Sequence, residues 1–114
     1  MALDLTHPMA FGYVSDRLPV FRNSTLSLDN SEDPYERVAV YTDVPLLSGY
    51  ISDEQLAELP GEAAVLVSRL GQGTVVRMVD NPNFRAFWYG TSKLYLNAIF
   101  LGSSVDRTSP PGDW

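Results

Sequence analysis

DNPNFRAFWYGTSKLYLNAIFLG, residues 80–102, joins a proline turn, a lone arginine, a cluster of four aromatics (Phe84, Phe87, Trp88, Tyr89) and an apolar helix pattern. Pro82 has no N–H and biases Asn81 away from the α region, so the alternating strand from Thr74 to Val79 stops at Asp80-Asn81-Pro82-Asn83 and the chain turns. Beyond the turn Phe87, Leu94, Ala98 and Leu101 recur at helical spacing. Trp88, Tyr95 and Ile99 flank that stripe, and Gly102 stands where a left-handed C-cap is expected. The segment therefore predicts a strand, a polar corner and a buried helix.

Upstream of the corner, Ala64-Val65-Leu66-Val67 and Thr74-Val75-Val76 flank the glycine-bracketed turn Leu70-Gly71-Gln72-Gly73, where φ > 0 is allowed. Residues 63–79 thus predict an antiparallel hairpin covered by the last helix. Gly71 and Gly73 do not make a phosphate loop, because no Gly-Lys-Ser/Thr follows and the next element is a strand. Ser52-Asp53-Glu54-Gln55 has the capping-box pattern, with Ser52 as N-cap and Gln55 reaching back, and opens a short helix from Asp53 to about Leu59. Its acidic first turn suits the helix dipole. Arg37 to Thr42 alternates as a strand ended by Pro45, and Leu18 to Phe21, opening with Pro19, predicts a short edge strand. Thr6-His7-Pro8 and Phe11-Gly12-Tyr13 read as turn-rich loop, and Asn23 to Glu36 as a polar loop.

A chain of 114 residues suits one core. Residues 1–102 are expected to form a single domain, and 103–114 a polar tail containing Pro110-Pro111-Gly112, frayed or docked through Trp114. The formal net charge of -6 and the lack of a Lys/Arg cluster argue against nucleic acid or an anionic membrane as partner. No run approaches a membrane span, and Met-Ala-Leu-Asp lacks the regions of a signal peptide. With no cysteine there is no disulfide, thiolate metal site or thiol nucleophile.

Three blocks, Leu3 to Tyr13 (LDLTHPMAFGY), Pro45 to Ile51 (PLLSGYI) and Gly73 to Gly102, resemble in this order the C-terminal region of large bacterial secreted zinc carboxypeptidases of the metallocarboxypeptidase family. In those proteins the region looks like the second half of a class I glutamine amidotransferase-like domain appended behind the peptidase. The resemblance covers roughly residues 3–102. It implies an α/β fold: a mixed sheet with flanking helices, a partial flavodoxin-like unit with a late antiparallel hairpin and a C-terminal helix. It also implies that zinc belongs to the parent's peptidase domain, with no cofactor in this chain, and that the parent is secreted or periplasmic, which leaves the localisation of the chain itself open.

Neither parent chemistry has its residues here. A metallocarboxypeptidase holds zinc with His-x-x-Glu and a distant His, whereas the one histidine, His7, is followed by Pro8, Met9 and Ala10. Class I amidotransferases use a Cys activated by a His that a Glu orients. The resemblance would place His-Pro-Glu at the end of the late hairpin, where this chain reads Met78-Val79-Asp80-Asn81-Pro82; Asp80 replaces the base, and only an upstream segment could supply a nucleophile.

Candidate residues carry two readings each. His7 is a ligand or base on one reading and a hydrogen-bonded turn residue on the favoured one. Arg85 binds a carboxylate ligand, caps loop carbonyls or, as favoured, forms an internal ion pair, for instance with Asp80. Asn97, inside an apolar helix, is expected to bond a neighbouring loop, plausibly that of Asn81 or Asn83. The four aromatics form either a stacking platform or, as favoured, core. A ligand cleft is expected near Asp80, Asn81, Asn83 and Arg85, at the carboxyl ends of strands. The expected function is a non-catalytic accessory domain of a zinc carboxypeptidase, in scaffolding or substrate binding, with the upstream peptidase domain or a second copy as partner. Self-association would run through an edge strand or the final helix. The alternative is a stand-alone module for a small polar ligand or a peptide.

Overall fold

The computed structural model describes residues 1–105. Four strands, β1 (Ala2–Leu3), β2 (Arg37–Val40), β3 (Ala63–Leu70) and β4 (Gly73–Met78), form one sheet in the order β1-β2-β3-β4. Two helices, α1 (Asp53–Glu58) and α2 (Tyr89–Leu101), complete an α/β chain in the broad sense. All three strand pairings are antiparallel, so the described sheet is not mixed in strand direction. For β3 and β4 the reason is local: a two-residue Gly71-Gln72 loop admits only a reversal, and Gly71 adopts the required positive φ of 60°. The expectation for a tail docked through Trp114 lies outside the described residues.

β3 is the centre of the core. Its first five residues, Ala63 to Val67, are buried on both faces, which is why the run is continuously apolar. Val65 and Val67 sit in one cluster with Val38 and Ala39 of β2, Leu94 of α2, and Met9 and Val105 from the flanking turns. β2 meets β3 with two register irregularities, around Ala39. α1 begins at Ser52, whose hydroxyl accepts from the Gln55 N–H. Only half of the capping box forms, since the Gln55 side chain donates to Glu58 instead of reaching back.

Three elements differ from expectation. Leu18 to Phe21 is not a strand: Arg17 bridges Ala2, Leu18 exchanges bonds with Met1, and Pro19, without an N–H, ends the pairing there. α2 starts at Tyr89, because Phe84–Ala86 forms a separate 3-10 turn in which Arg85 and Ala86 take positive φ of 51° and 57°. Gly102 is right-handed (φ -56°) and leads into a further 3-10 turn, Gly102–Ser104, so the helix tightens and continues in place of a left-handed cap.

α2 is also not buried. Thr91 and Leu94 face the core, with Ala98 packed against it; Tyr95 stands half-exposed on the flank toward β4, while Tyr89, Leu96, Ile99 and Phe100 are exposed on the outer side. The helix is apolar nearly all round, and its 3.6-residue pattern points only one stripe inward. The loop before Tyr13 is strapped to the helix: Asn97 Nδ2 donates to the carbonyls of Met9 (2.8 Å) and Phe11 (3.0 Å), and Lys93 donates to the Gly12 carbonyl. Asn97 thus bonds a loop as expected, but the N-terminal loop and not the one holding Asn81 and Asn83.

Candidate functional site

The corner after β4 organises the site. Pro82 and the Asn81 side chain, which accepts from the Asn83 N–H at 3.0 Å, make the chain turn sharply. The Thr91 hydroxyl donates to the Pro82 carbonyl at 2.7 Å and fixes the start of α2 against the turn. The turn aims Asp80 inward. Its carboxylate accepts from the Tyr41 hydroxyl and from Arg22 Nη1 at 3.4 Å. The same Arg22 nitrogen reaches Tyr41 at 2.9 Å, a second guanidinium nitrogen holds the Leu26 carbonyl, and the guanidinium lies 5.2 Å from the Tyr41 ring centroid.

Burial decides the electrostatics of this cluster. The Asp80 and Arg22 side chains are only 5% and 13% exposed. Burial pushes the Asp80 carboxyl above its ordinary value, and the Tyr41 hydrogen bond and the Arg22 charge pull it back only in part. The Tyr41 phenol is pushed upward by burial and then by Asp80, so it stays a hydrogen-bond donor. A proton-transfer role needs a group poised near the working pH and open to a substrate; here the carboxylate is enclosed and already bonded on both oxygens.

Beside the corner lies an open groove of about 520 Å³ between β4 and α2. Val76, Met78 and Val79 form one wall, Tyr95 and Ala98 the other, and Asp80 with Asn81, Pro82 and Asn83 closes the end. Of the four residues expected at the cleft, the structure brings together Asp80, Asn81 and Asn83. Arg85 and His7 do not line this groove.

Arg85 does not pair with Asp80, which corrects the expected ion pair. The left-handed backbone at Arg85 turns its side chain outward, where it is exposed and lies 5.3 Å from the Phe84 ring centroid. The cation of Asp80 is Arg22, which follows the expected edge strand and which sequence reasoning did not single out. His7 is 2% exposed and caps the Pro8–Ala10 turn by accepting from the Met9 N–H at 3.1 Å, in line with its reading as a hydrogen-bonded turn residue. Nδ1 is therefore the acceptor, and Nε2 is buried without a hydrogen-bond partner among the described residues. Burial lowers its pKa, against a smaller upward pull from Asp4, and its ring lies 4.7 Å from that of Tyr35.

The aromatic cluster is neither core nor a flat platform. Phe21 stacks on Phe84 at 4.0 Å between ring centroids, and Trp88 and Phe87 join the cluster through tilted and edge-on contacts. None of Phe84, Phe87, Trp88 and Tyr89 is fully buried, because the 3-10 turn takes Phe84 and Phe87 out of helical phase with α2.

Among the described residues no group of three or more His, Cys, Asp or Glu side chains is placed to hold a metal ion, and no helix is long and apolar enough to cross a membrane. Comparison of the chain with protein-family models, curated proteins and solved structures returned no match. The likeness to carboxypeptidase C-terminal regions rests on the three sequence blocks alone.

Proposed function

We propose that this chain is a non-catalytic accessory domain, of the kind that the sequence blocks liken to the region behind the peptidase domain of a zinc carboxypeptidase. On this reading the β3–β4 hairpin and α2 are the late hairpin and final helix of an amidotransferase-like, partly flavodoxin-like unit. The observation that carries the reading is the state of Asp80. The residue standing where the family places its catalytic His-Pro-Glu is enclosed and bonded to Arg22 and Tyr41, which suits a structural strut and not a base. Zinc, on this proposal, belongs to the parent's peptidase domain, and the parent is secreted or periplasmic.

The partners we propose are the upstream peptidase domain or a second copy of the chain. The exposed apolar side of α2, with Leu96, Ile99 and Phe100, supports a covered face, since a helix apolar nearly all round is ordinarily packed on more than one side. A stand-alone peptide-binding module is the second reading, favoured by the open groove beside β4.

The test is a thermal melt of the purified chain with and without zinc, read with its light-scattering mass and with assays for amino-acid release from peptides and ammonia release from glutamine. The expected result is a cooperative melt indifferent to zinc and no release of either product. A zinc-dependent shift in the melt, or turnover of either substrate, overturns the non-catalytic reading.

A further inference from the structure

We infer that the free edge of β4, with the groove under Tyr95 and Ala98, is a strand-addition site for an extended acidic peptide. The inference deepens the reading of this chain as a binding domain by naming the ligand class and the atoms that hold it.

The hydrogen-bonding direction along β4 follows from its turn. Leu70 and Gly73 close a two-residue loop and are a bonded pair, so alternation points Val75 and Arg77 toward β3 and leaves the N–H and C=O of Thr74, Val76 and Met78 facing outward. The Val79 N–H, one step further on, bonds Ala64 as that alternation requires. β4 is the last strand of the sheet, and none of the outward backbone groups has a partner among the described residues. An unpaired edge of this length is a template for another strand.

Side chains set what that strand must be. Val76 and Met78 face the groove, so alternate residues of an added strand would point between β4 and α2 and should be apolar. The intervening residues would lie beside Val75 and Arg77 on the other face. Residues 63–105 carry four basic side chains and one acid, the buried Asp80, whereas residues 1–62 carry three basic and eleven acidic ones. Arg77 bonds Ser68 Oγ, Arg69 bonds Thr74 and the Val105 carbonyl, and Arg85 is exposed; no described ion pair involves any of the three. A second copy aligned on β4 would bring its own Arg77 to the same edge. An acidic peptide complements that charge, which favours it over self-pairing.

The probe is an N-acetylated, C-amidated heptapeptide alternating glutamate and valine, mixed with the full chain and followed by amide hydrogen exchange and NMR shifts. Binding should protect the amides of Thr74, Val76 and Met78. Methylating alternate peptide nitrogens, or exchanging glutamate for lysine, should weaken binding by about tenfold or more. Val76→Pro, which removes an outward N–H without a β3 bond, should do the same provided its melt matches the parent chain. Shifts confined elsewhere, equal binding of the methylated peptide, or edge amides protected in a dimer without peptide would each overturn the site. The mass of the same peptide with a free C-terminal carboxylate, the end a carboxypeptidase cleaves, followed with zinc present, separates the two readings. Binding with hydrolysis keeps the site and overturns the non-catalytic reading, while neither binding nor hydrolysis does the reverse.

Discussion

Arg22 and Asp80, 58 residues apart in sequence, meet at 3.4 Å inside the molecule and tie the irregular segment after β1 to the corner after β4. The Tyr41 hydroxyl completes the contact from the end of β2. Three separate stretches of chain are thereby held at the rim of the groove, and the corner that presents Asn81 and Asn83 depends on that support.

Replacing Arg22 by Met leaves the Asp80 carboxylate enclosed without its cation. The expected loss is about 3 kcal/mol near neutral pH, because breaking one side of a buried pair strands the other charge. Urea unfolding measures it. The double variant with Asp80→Asn should lose less than the Arg22 variant alone; equal or larger loss would show that the two side chains act independently.

Asp80 should tilt stability against rising pH. Its folded pKa lies above the ordinary 3.8, so the folded state binds the proton more tightly. The resulting stability is fully present below that ordinary value and is lost as pH rises through the raised one. Asp80→Asn should flatten this decline in a series of melts from about pH 4 upward. An unchanged slope would place its origin elsewhere.

His7 should act in the opposite direction. Its folded pKa lies below 6.5, so its contribution is present above that value and is lost as pH falls through the folded value. His7→Asn keeps an N-cap acceptor for the Met9 N–H and should remove the acid-side decline. An imidazole NMR titration should place the folded-state midpoint below 6.5; a midpoint at or above that value contradicts the assignment.

Asn97→Leu should cost about 1–2 kcal/mol, since it removes two bonds and leaves the Met9 and Phe11 carbonyls without that donor. Exchange protection should fall in the N-terminal loop and remain in the β3–β4 hairpin. Loss confined to the corner would reverse the assignment of its partner.

Gly71→Val should destabilise the hairpin by about 1–2 kcal/mol. The native φ of 60° is open to glycine and strained for a β-branched side chain, although nothing crowds the site where a Cβ would stand. A neutral substitution would mean that the loop relaxes to another turn type.

The residues of the hairpin, of α1 and of the final helix signal their own elements. Gly71-Gln72 specifies the reversal, Ser52 the start of α1, and Pro82 the corner, because each acts through its own backbone or its nearest neighbours in sequence. Even so, α2 begins later than its apolar pattern suggests, and its outer stripe stays in solvent. Periodicity reports which residues share a face and not whether anything covers it.

Long-range pairing was beyond such signals. Asp80 and Arg85 lie on the same side of the sequence, yet backbone geometry turns one inward and the other outward, and the cation of Asp80 arrives from Arg22. Asn97 announced a polar need within an apolar helix, but the loop that meets it depends on how residues 7–13 cross α2. The sequence by itself determined the hairpin, the start of α1 and the proline corner, and the uneven charge along the chain. Tertiary structure alone decided which charges meet, which strand is left as an edge and where the groove opens, because these follow from packing between segments that carry no mark of one another.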